Sequence, residues 1–250
     1  LGAWRWPTFG ALALLLVVAL GVPLWNVARW ARRGSSSSDL GDVLAAARTT
    51  LVLGVVAAGA TVVVALPVAI LSARHAGHFS NGVTTIAYAG HALPGIVVAL
   101  SLVFFGVRYV TPLYQRMPML IAAYVVVFLS LAIGAIHTSL AQVAPELEDV
   151  ARSSGRGPLA TWLSVTLPLA APGIGVAAAL VCIAVMKELP ATLLLRPIGT
   201  DTLATRLWTT TDAFSYAAAA PYAVALVLTA SIPTAVLTTF TVRSSVGRGR

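Results

Sequence analysis

The chain has 250 residues, of which 58% are hydrophobic and only 10% charged, and its mean hydropathy is +0.91. Soluble globular domains are about 25% charged, so this composition excludes an ordinary soluble domain and indicates an integral membrane protein. The net charge is +8, but the basic residues are scattered singly between apolar runs. This pattern excludes a nucleic-acid-binding face and indicates contact with the anionic head groups of a lipid bilayer.

Six stretches are long and apolar enough to cross a membrane as helices. A hydrocarbon core of about 30 Å requires about 20 apolar helical residues. The stretches are residues 8–30, 49–71, 86–107, 119–136, 167–186 and 222–242. Pro94-Gly95 breaks the third stretch and Pro233 interrupts the sixth, as is tolerated where neighbouring helices cover the freed backbone. The sequence therefore predicts an all-α, polytopic membrane bundle of six transmembrane helices.

The connection after the first predicted helix divides the chain into two parts. We assign residues 1–40 to the first transmembrane helix and its connecting loop, and residues 41–250 to a core domain with five transmembrane helices. Residues 72–82 are predicted to form a polar turn. His75 and His78 lie three apart in this turn, but no third metal ligand lies nearby in the sequence, so we assign them to a solvated loop.

A polar segment at residues 145–168 separates the fourth and fifth stretches. Pro145 suits a first helical position, and carboxylates follow in the opening turns, where the positive end of a helix favours them. Gly155 ends this helix because glycine adopts the left-handed cap conformation at little cost. Pro158 starts a second short helix that leads to Leu167. A short amphipathic helix followed by a bend is a shape that one protein offers to the groove of another.

This segment resembles the cytoplasmic loop of ABC importer permeases, whose signature is Glu-Ala-Ala, three residues, Gly, nine residues and Ile-x-Leu-Pro. Residues 149–151 read Asp-Val-Ala, Gly155 falls at the required spacing, and residues 165–168 read Val-Thr-Leu-Pro. The resemblance implies a type I importer permease in which this segment is a coupling helix that docks on an ATPase subunit. The docking residues it implies are Leu147, Glu148, Asp149, Val150, Ala151, Gly155, Leu167 and Pro168.

Residues 186–210 carry a second resemblance. The strings MKELPATLLLRP and GTDTLATRLW are similar to the second half of iron(III)-type permeases, which serve periplasmic ferric-binding proteins. Those permeases commonly carry two six-span halves in one polypeptide. The resemblance therefore implies that this chain is the C-terminal half of a longer permease, or that it pairs with a second permease chain. It also implies a periplasmic substrate-binding protein as a partner.

The same region supplies a candidate substrate path. Charges this close to a membrane are costly unless they are paired or face water. We therefore assign the charged residues Lys187, Glu188 and Asp201 to the path. A hard trivalent cation prefers oxygen ligands, which the carboxylates of Glu188 and Asp201 would supply, with Asp212 as a further carboxylate. The alternative is that Lys187 and Glu188 pair with partners at the helix end and hold the loop. No metal site is assigned.

The sequence contains no Gly-x-x-x-x-Gly-Lys-Ser/Thr loop, and its single lysine, Lys187, follows a methionine. We therefore expect a transport subunit rather than an enzyme. We expect no cofactor on this chain and assign ATP and Mg²⁺ to a partner ATPase subunit.

The orientation is assigned from the resemblance, since the distribution of basic residues does not support it. With the coupling segment in the cytoplasm, Arg29 and Arg32 fall outside, against the positive-inside rule. We place the segment inside because only there could it meet an ATP-driven partner, in a multi-pass protein of the bacterial inner membrane. Alternatives are a permease for thiamine, sulfate, a polyamine or a phosphonate, an ion-gradient-driven carrier, and a membrane scaffold that transports nothing.

Overall fold

The computed structural model describes residues 4–32, 39–75 and 77–246, and within these ranges every regular element is a helix. The α-helices are α1 (Arg5–Leu16), α2 (Val22–Arg32), α3 (Leu40–Arg74), α4 (His78–Ala92), α5 (Gly95–Tyr109), α6 (Met117–Leu140), α7 (Pro145–Ser153), α8 (Pro158–Thr161), α9 (Leu167–Lys187), α10 (Pro190–Leu195), α11 (Leu203–Asp212) and α12 (Tyr216–Val246). Two π-helical turns, Val17–Gly21 and Trp162–Thr166, connect α1 to α2 and α8 to α9. A 3₁₀ turn, Thr111–Leu113, follows α5.

Five continuous helical stretches in the described part of the chain are long and apolar enough to cross a membrane. They are Arg5–Arg32, Leu40–Arg74, Met117–Leu140, Pro158–Lys187 and Tyr216–Ala235. The sixth candidate is the pair α4 and α5, which is bent by 97° at the predicted break. The prediction of an all-α membrane helix bundle is therefore confirmed.

The helices α3, α6 and α9 pack against one another and form the centre of the bundle. Many of the side chains between them are small, which lets the backbones approach closely. Fully buried alanines occur on all three helices: Ala57, Ala65 and Ala69 on α3, Ala123 and Ala132 on α6, and Ala170 and Ala177 on α9. Larger buried side chains, including Tyr124, Ile133 and Met186, fill the remaining space.

The first helical stretch lies at the edge of this bundle. None of the residues in α1 is buried, and α2 packs on α12, where the rings of Trp30 and Tyr216 are 5.5 Å apart. The apolar surface of α1 is therefore available to lipid or to another protein. The connecting loop assigned after this stretch falls mostly on residues 33–38, which lie outside the described residues.

Two predicted boundaries were wrong at the ends of α3. This helix begins at Leu40, nine residues before the predicted span, because Val43 and Ala46 form a small core with Leu203 and Tyr222. The predicted turn at 72–82 is much shorter, since α3 continues to Arg74 and α4 begins at His78. The Ser80 hydroxyl in α4 donates a hydrogen bond to the Leu71 carbonyl at 3.2 Å, which joins the two helices.

The chain after Pro158 also differs from its prediction. The predicted separate short helix is continuous with the fifth span, as one stretch from Pro158 to Lys187. The π-helical turn before α9 explains this, because its wider hydrogen-bonded ring lets the chain pass Pro168, which has no N–H, without a break. The last helix also starts earlier than predicted: α12 begins at Tyr216 rather than at residue 222, and it includes Pro221.

The helix α5 lies across the end of the bundle away from residues 145–168. Its first residue, Gly95, is next to Glu188, and Gly106 near its other end is next to Met119 at the start of α6. Both neighbours belong to the same end of the bundle, so α5 does not continue α4 as a straight span. The third predicted span is thus a bent pair of helices.

Candidate functional site

The backbone of the coupling segment (residues 145–168) follows the local signals in its sequence. The helix α7 begins at Pro145 and ends at Ser153. Gly155 has a φ of +83°, in the left-handed region that favours glycine, and its N–H donates to the Arg152 carbonyl at 2.9 Å. These contacts form a tight elbow, and Arg156, just after it, donates a hydrogen bond to the Ser164 hydroxyl at 2.8 Å.

Several large apolar side chains of this polar segment face outward. Leu147 and Val150 on α7 are 47% and 64% exposed. Leu159 and Leu163, beyond the elbow, are exposed as well, and so is the Asp149 carboxylate. An amphipathic helix normally turns its apolar side toward its own core. Here the apolar side chains point away from the bundle, as expected of a surface that another protein covers.

The side chain of Glu148 faces the bundle and is only 13% exposed. Its Oε1 atom accepts an ion-paired hydrogen bond from Arg74 at 2.9 Å and a hydrogen bond from the Thr166 hydroxyl at 3.0 Å. Its Oε2 atom lies 3.6 Å from the Arg152 guanidinium, one turn along α7. Ala151 is also buried. A carboxylate withdrawn from water in this way is stable because its oxygens are paired.

The remaining predicted docking residues lie at the start of α9. Leu167 is half-buried and Pro168 is exposed. They follow directly on the π-helical turn that holds Thr166, so they continue the same end of the bundle. The structure thus brings the whole predicted docking set to one end of α9, with some members facing outward and others facing the bundle.

The second candidate region lies at the opposite end of α9. This helix has 21 residues, which at 1.5 Å per residue is about 30 Å, the thickness of a hydrocarbon core. Glu188 follows its last residue, in the break before α10. The coupling segment and Glu188 are therefore about one membrane thickness apart.

The Glu188 side chain is half-buried between two helix N-termini. Its Oε1 atom accepts a hydrogen bond from the Ala191 N–H in α10 at 3.3 Å. The same oxygen would lie 3.1 Å from a Cβ placed on Gly95, the first residue of α5. The positive end of a helix favours a carboxylate. Within the described residues no cationic side chain lies within ion-pair distance of Glu188, and the hydrogen bond from Ala191 is the contact that its carboxylate accepts there.

A chain of hydrogen bonds fixes the backbone of Glu188. The Thr192 hydroxyl donates to the Glu188 carbonyl at 2.7 Å, and the Tyr124 hydroxyl lies 2.7 Å from the Thr192 hydroxyl oxygen. Because the Thr192 proton is used on the carbonyl, Tyr124 is the donor to Thr192. Tyr124 belongs to α6, so this chain joins the centre of the bundle to the α9–α10 break.

The other predicted path residues differ from Glu188 in their surroundings. Asp201 is paired with Arg196 and, at 2.8 Å, with Arg206 in α11, so its charge is neutralised by arginines on both sides of it in the sequence. Lys187 and Asp212 are exposed. No three His, Cys, Asp or Glu side chains come together as a metal site in the part of the chain that the structure describes.

Three residues that contact the predicted sites were missed by the sequence analysis. Arg74 and Thr166 bind Glu148, and Gly95 lies against Glu188. A signal for Arg74 existed, because a charged residue at the end of a long apolar helix requires a partner or water. Gly95 was noted only as part of a helix break, although glycine at such a position also allows close approach of another group.

The fold and the two regions define a class of protein: an integral membrane bundle with a polar surface helix tied to one end and a half-buried carboxylate at the other. Residues 65–244 match the family described as binding-protein-dependent transport system inner membrane component. The match covers most of the chain, and the chain belongs to this family. Its members are permease subunits, so the prediction of an ABC importer permease in the inner membrane is confirmed.

Curated relatives include two kinds of permease. The chain is 37% identical over 229 residues to the Fe(3+)-transport system permease protein FbpB 2 of Haemophilus influenzae, covering 90% of this chain and 45% of that protein. It is 29% identical over 140 residues to the putative 2-aminoethylphosphonate transport system permease protein PhnV of Salmonella typhimurium, covering 56% and 53%. The chain spans about half the length of the curated relatives it matches.

Solved structures of importers share the fold. One is a bacterial alginate ABC transporter in complex with an alginate pentasaccharide-bound periplasmic protein, with a TM-score of 0.69, 14% identity and 95% coverage of both chains. Another is the MetNI methionine ABC transporter in inward-facing conformations, with a TM-score of 0.59, 17% identity and coverage of 79% of this chain and 95% of that chain. At these identities the likeness establishes the fold.

Proposed function

We propose that this chain is one membrane-spanning half of an ATP-driven importer of ferric iron. In this proposal ATPase subunits bind the coupling segment, a periplasmic binding protein delivers the substrate to the other end of the bundle, and a second permease half completes the pathway. ATP and Mg²⁺ would be bound by the ATPase subunits. The observation that carries the proposal is the outward-facing apolar surface of α7 on a chain of this family.

The docking surface would be formed by the outward-facing members of the predicted set. Leu147 and Val150 would enter an apolar groove of the ATPase subunit, with Asp149 at the rim. The members that face the bundle, Glu148 and Ala151, would support the helix from behind. Gly155 would set the elbow after α7. Leu167 and Pro168 would transmit a displacement of the coupling segment by the ATPase subunit to α9.

Docking can be tested by co-purification of the ATPase subunits with this chain. Val150→Asp places a charge in the proposed apolar contact and is expected to weaken binding by about tenfold or more. Glu146→Gln is the matched control, since Glu146 is exposed on the same helix and lies outside the docking set. Wild-type recovery of ATPase subunits with the Val150 variant would contradict the assignment. If the wild-type chain itself recovers none, a scaffold or gradient-driven carrier becomes the better account.

Ferric iron is proposed from the similarity to the iron(III) permease and from the chemistry at Glu188. The chain matches that relative over more of its length and at higher identity than it matches the phosphonate permease. A carboxylate oxygen is a suitable ligand for a hard cation. Glu188 combines partial burial with no neutralising cation in the described residues, whereas Asp201 is already paired. We therefore place Glu188 on the path, with Lys187 and Asp201 beside it.

Transport assays in proteoliposomes with the complete complex would test this assignment. Glu188→Gln keeps the size and the hydrogen bond to Ala191 but removes the charge, and is expected to reduce ferric uptake sharply while complex assembly is retained. Asp42→Asn is the control, because Asp42 is an exposed carboxylate at the same end of the bundle. Normal uptake by the Glu188 variant would remove this residue from the path. Uptake of a phosphonate, thiamine, sulfate or a polyamine in place of iron would correct the substrate.

A further inference from the structure

The helix α7 contacts the bundle through the small buried side chain of Ala151 and through the polar contacts of Glu148. Its large apolar residues, Leu147 and Val150, face outward. A cavity of about 120 Å³ lies where α7 meets the bundle, lined in part by Arg74, Glu148 and Arg152. A helix of nine residues has little stability of its own in water. Its position therefore depends on a few specific contacts, above all those of Glu148.

The partners of Glu148 connect α7 to all three central helices. Arg74 is the last residue of α3. Besides pairing with Glu148, it donates a hydrogen bond at 3.0 Å to the Val143 carbonyl, in the connection that follows α6. Thr166 is the last residue before α9. The ends of α3, α6 and α9 thus meet around one carboxylate.

The adjacent residues Glu148 and Asp149 of α7 face in different directions. The Asp149 side chain is 75% exposed, whereas that of Glu148 is 13% exposed. An exposed charge pair contributes little to stability. Removing one partner of a mostly buried pair is costly, because it leaves the other charge buried and uncompensated. Displacement of α7 relative to the bundle must therefore either break the Glu148 contacts or move the helices attached to them.

We propose that Glu148 is a positioning residue for transport, which transmits displacement of α7 to α3 through Arg74 and to α9 through Thr166. We call these three residues the Glu148 clamp. The inference rests on the proposed function, in that ATPase subunits supply the displacement. It assigns Glu148 to the permease side of the coupling segment, distinct from the surface that the ATPase subunit touches.

The test uses the complete transporter in proteoliposomes and measures ATP hydrolysed per substrate imported, together with co-purification of the ATPase subunits. Glu148→Gln and Arg74→Gln are each expected to leave co-purification intact and to raise the ratio by about three- to tenfold. The double variant is expected to be no worse than either single variant, because both changes break one interaction. Glu146→Gln, exposed on the same helix, should leave the ratio unchanged.

Other outcomes would overturn the inference. If Glu148→Gln weakens ATPase co-purification and keeps the ratio, the residue is a docking contact. If it changes neither quantity, the clamp transmits nothing. The proposed function fails separately, when the wild-type chain recovers no ATPase subunit.

A milder substitution covers the case in which the charge variants do not assemble. Thr166→Val removes one hydroxyl from the clamp with little change in volume and should raise the ATP hydrolysed per substrate imported. Thr166→Ser keeps the hydroxyl and should give the wild-type ratio. A purely structural role would change the yield of the complex in both variants without changing the ratio. That result would also contradict the inference.

Discussion

The Oε1 atom of Glu188 lies against the backbone of Gly95, so close that a Cβ on Gly95 would be 3.1 Å from it. This contact joins the break between α4 and α5 to the break between α9 and α10. Glycine lets the carboxylate approach this closely, because a Cβ at this position would require it to move by a few tenths of an ångström. Two interruptions that are far apart in the sequence thus form one local arrangement at the end of the bundle away from the coupling segment.

Gly95→Ala is expected to displace the Glu188 carboxylate by a few tenths of an ångström and to lower substrate uptake severalfold. The stability of the bundle should change little, because alanine suits the first turn of a helix. Gly59→Ala is the control, since a Cβ at Gly59 in α3 would meet nothing within 4 Å. Uptake by the two variants in proteoliposomes provides the comparison. Equal, wild-type uptake would show that the position of Glu188 is unimportant.

Gly155→Val is expected to uncouple transport from ATP hydrolysis. The φ of +83° at Gly155 costs a β-branched residue about 1–3 kcal/mol, so the elbow would change its conformation and α7 its direction. Gly155→Asn should be milder, because asparagine tolerates the left-handed region. The readout is ATP hydrolysed per substrate imported.

Gly199→Val is the matched control for this elbow. Gly199 has a φ of +80° and, like Gly155, no atom within 4 Å of an added Cβ, but it lies in the loop between α10 and α11. The strain is therefore similar and the location different. If both variants show the same loss of coupling, general strain rather than the coupling segment is responsible.

Gly173→Ala is expected to destabilise the bundle by about 1–3 kcal/mol, as overpacking does in a tight core. A Cβ at Gly173 in α9 would collide with the Cβ and Oγ atoms of Ser139 in α6. Unfolding in detergent measures the loss, and Ser139→Gly in the same chain should recover part of it. Gly106→Ala should cost less, because the nearest atom there is the flexible Met119 methyl group. Equal losses at the two positions would contradict this account of the α6–α9 contact.

Tyr124→Phe is expected to lower the free energy of unfolding by about 1 kcal/mol, since it removes the buried hydrogen bond to Thr192. Thr192→Val should cost more, because it also removes the bond to the Glu188 carbonyl. The double variant should be less destabilised than the sum of the two single changes. Strict additivity in the same unfolding assay would mean that the two hydroxyls do not interact.

The parts of the fold that were predictable from sequence are those that local chemistry determines. The length of an apolar stretch is sufficient to predict a long membrane helix, because a helix in hydrocarbon forms all its backbone hydrogen bonds within itself. Gly155 identified the end of α7, since a left-handed cap depends on one residue. Pro94-Gly95 identified a helix break but not its 97° angle, which depends on how α5 packs against α6 and α10.

The division of roles within the coupling segment was not predictable, because it depends on partners distant in sequence. Glu148 and Asp149 are neighbouring carboxylates in the same helix, and both were assigned to docking. Glu148 is distinguished by its contacts with Arg74 at the end of α3 and with Thr166 before α9, which lie on the bundle side of α7. Asp201 and Glu188 are likewise both acidic residues near the same end of the bundle. They differ because Arg196 and Arg206 neutralise the charge of Asp201, whereas Glu188 has no such partner in the described residues.

We propose that the coupling segment faces the cytoplasm, where an ATPase subunit can bind it. Labelling of a single cysteine tests this most directly, with Val150→Cys introduced into a chain whose native Cys182 is replaced by serine. A membrane-impermeant maleimide should label position 150 in inside-out vesicles, and added ATPase subunits should protect it. Labelling of position 150 from the periplasmic side of intact spheroplasts would contradict the account.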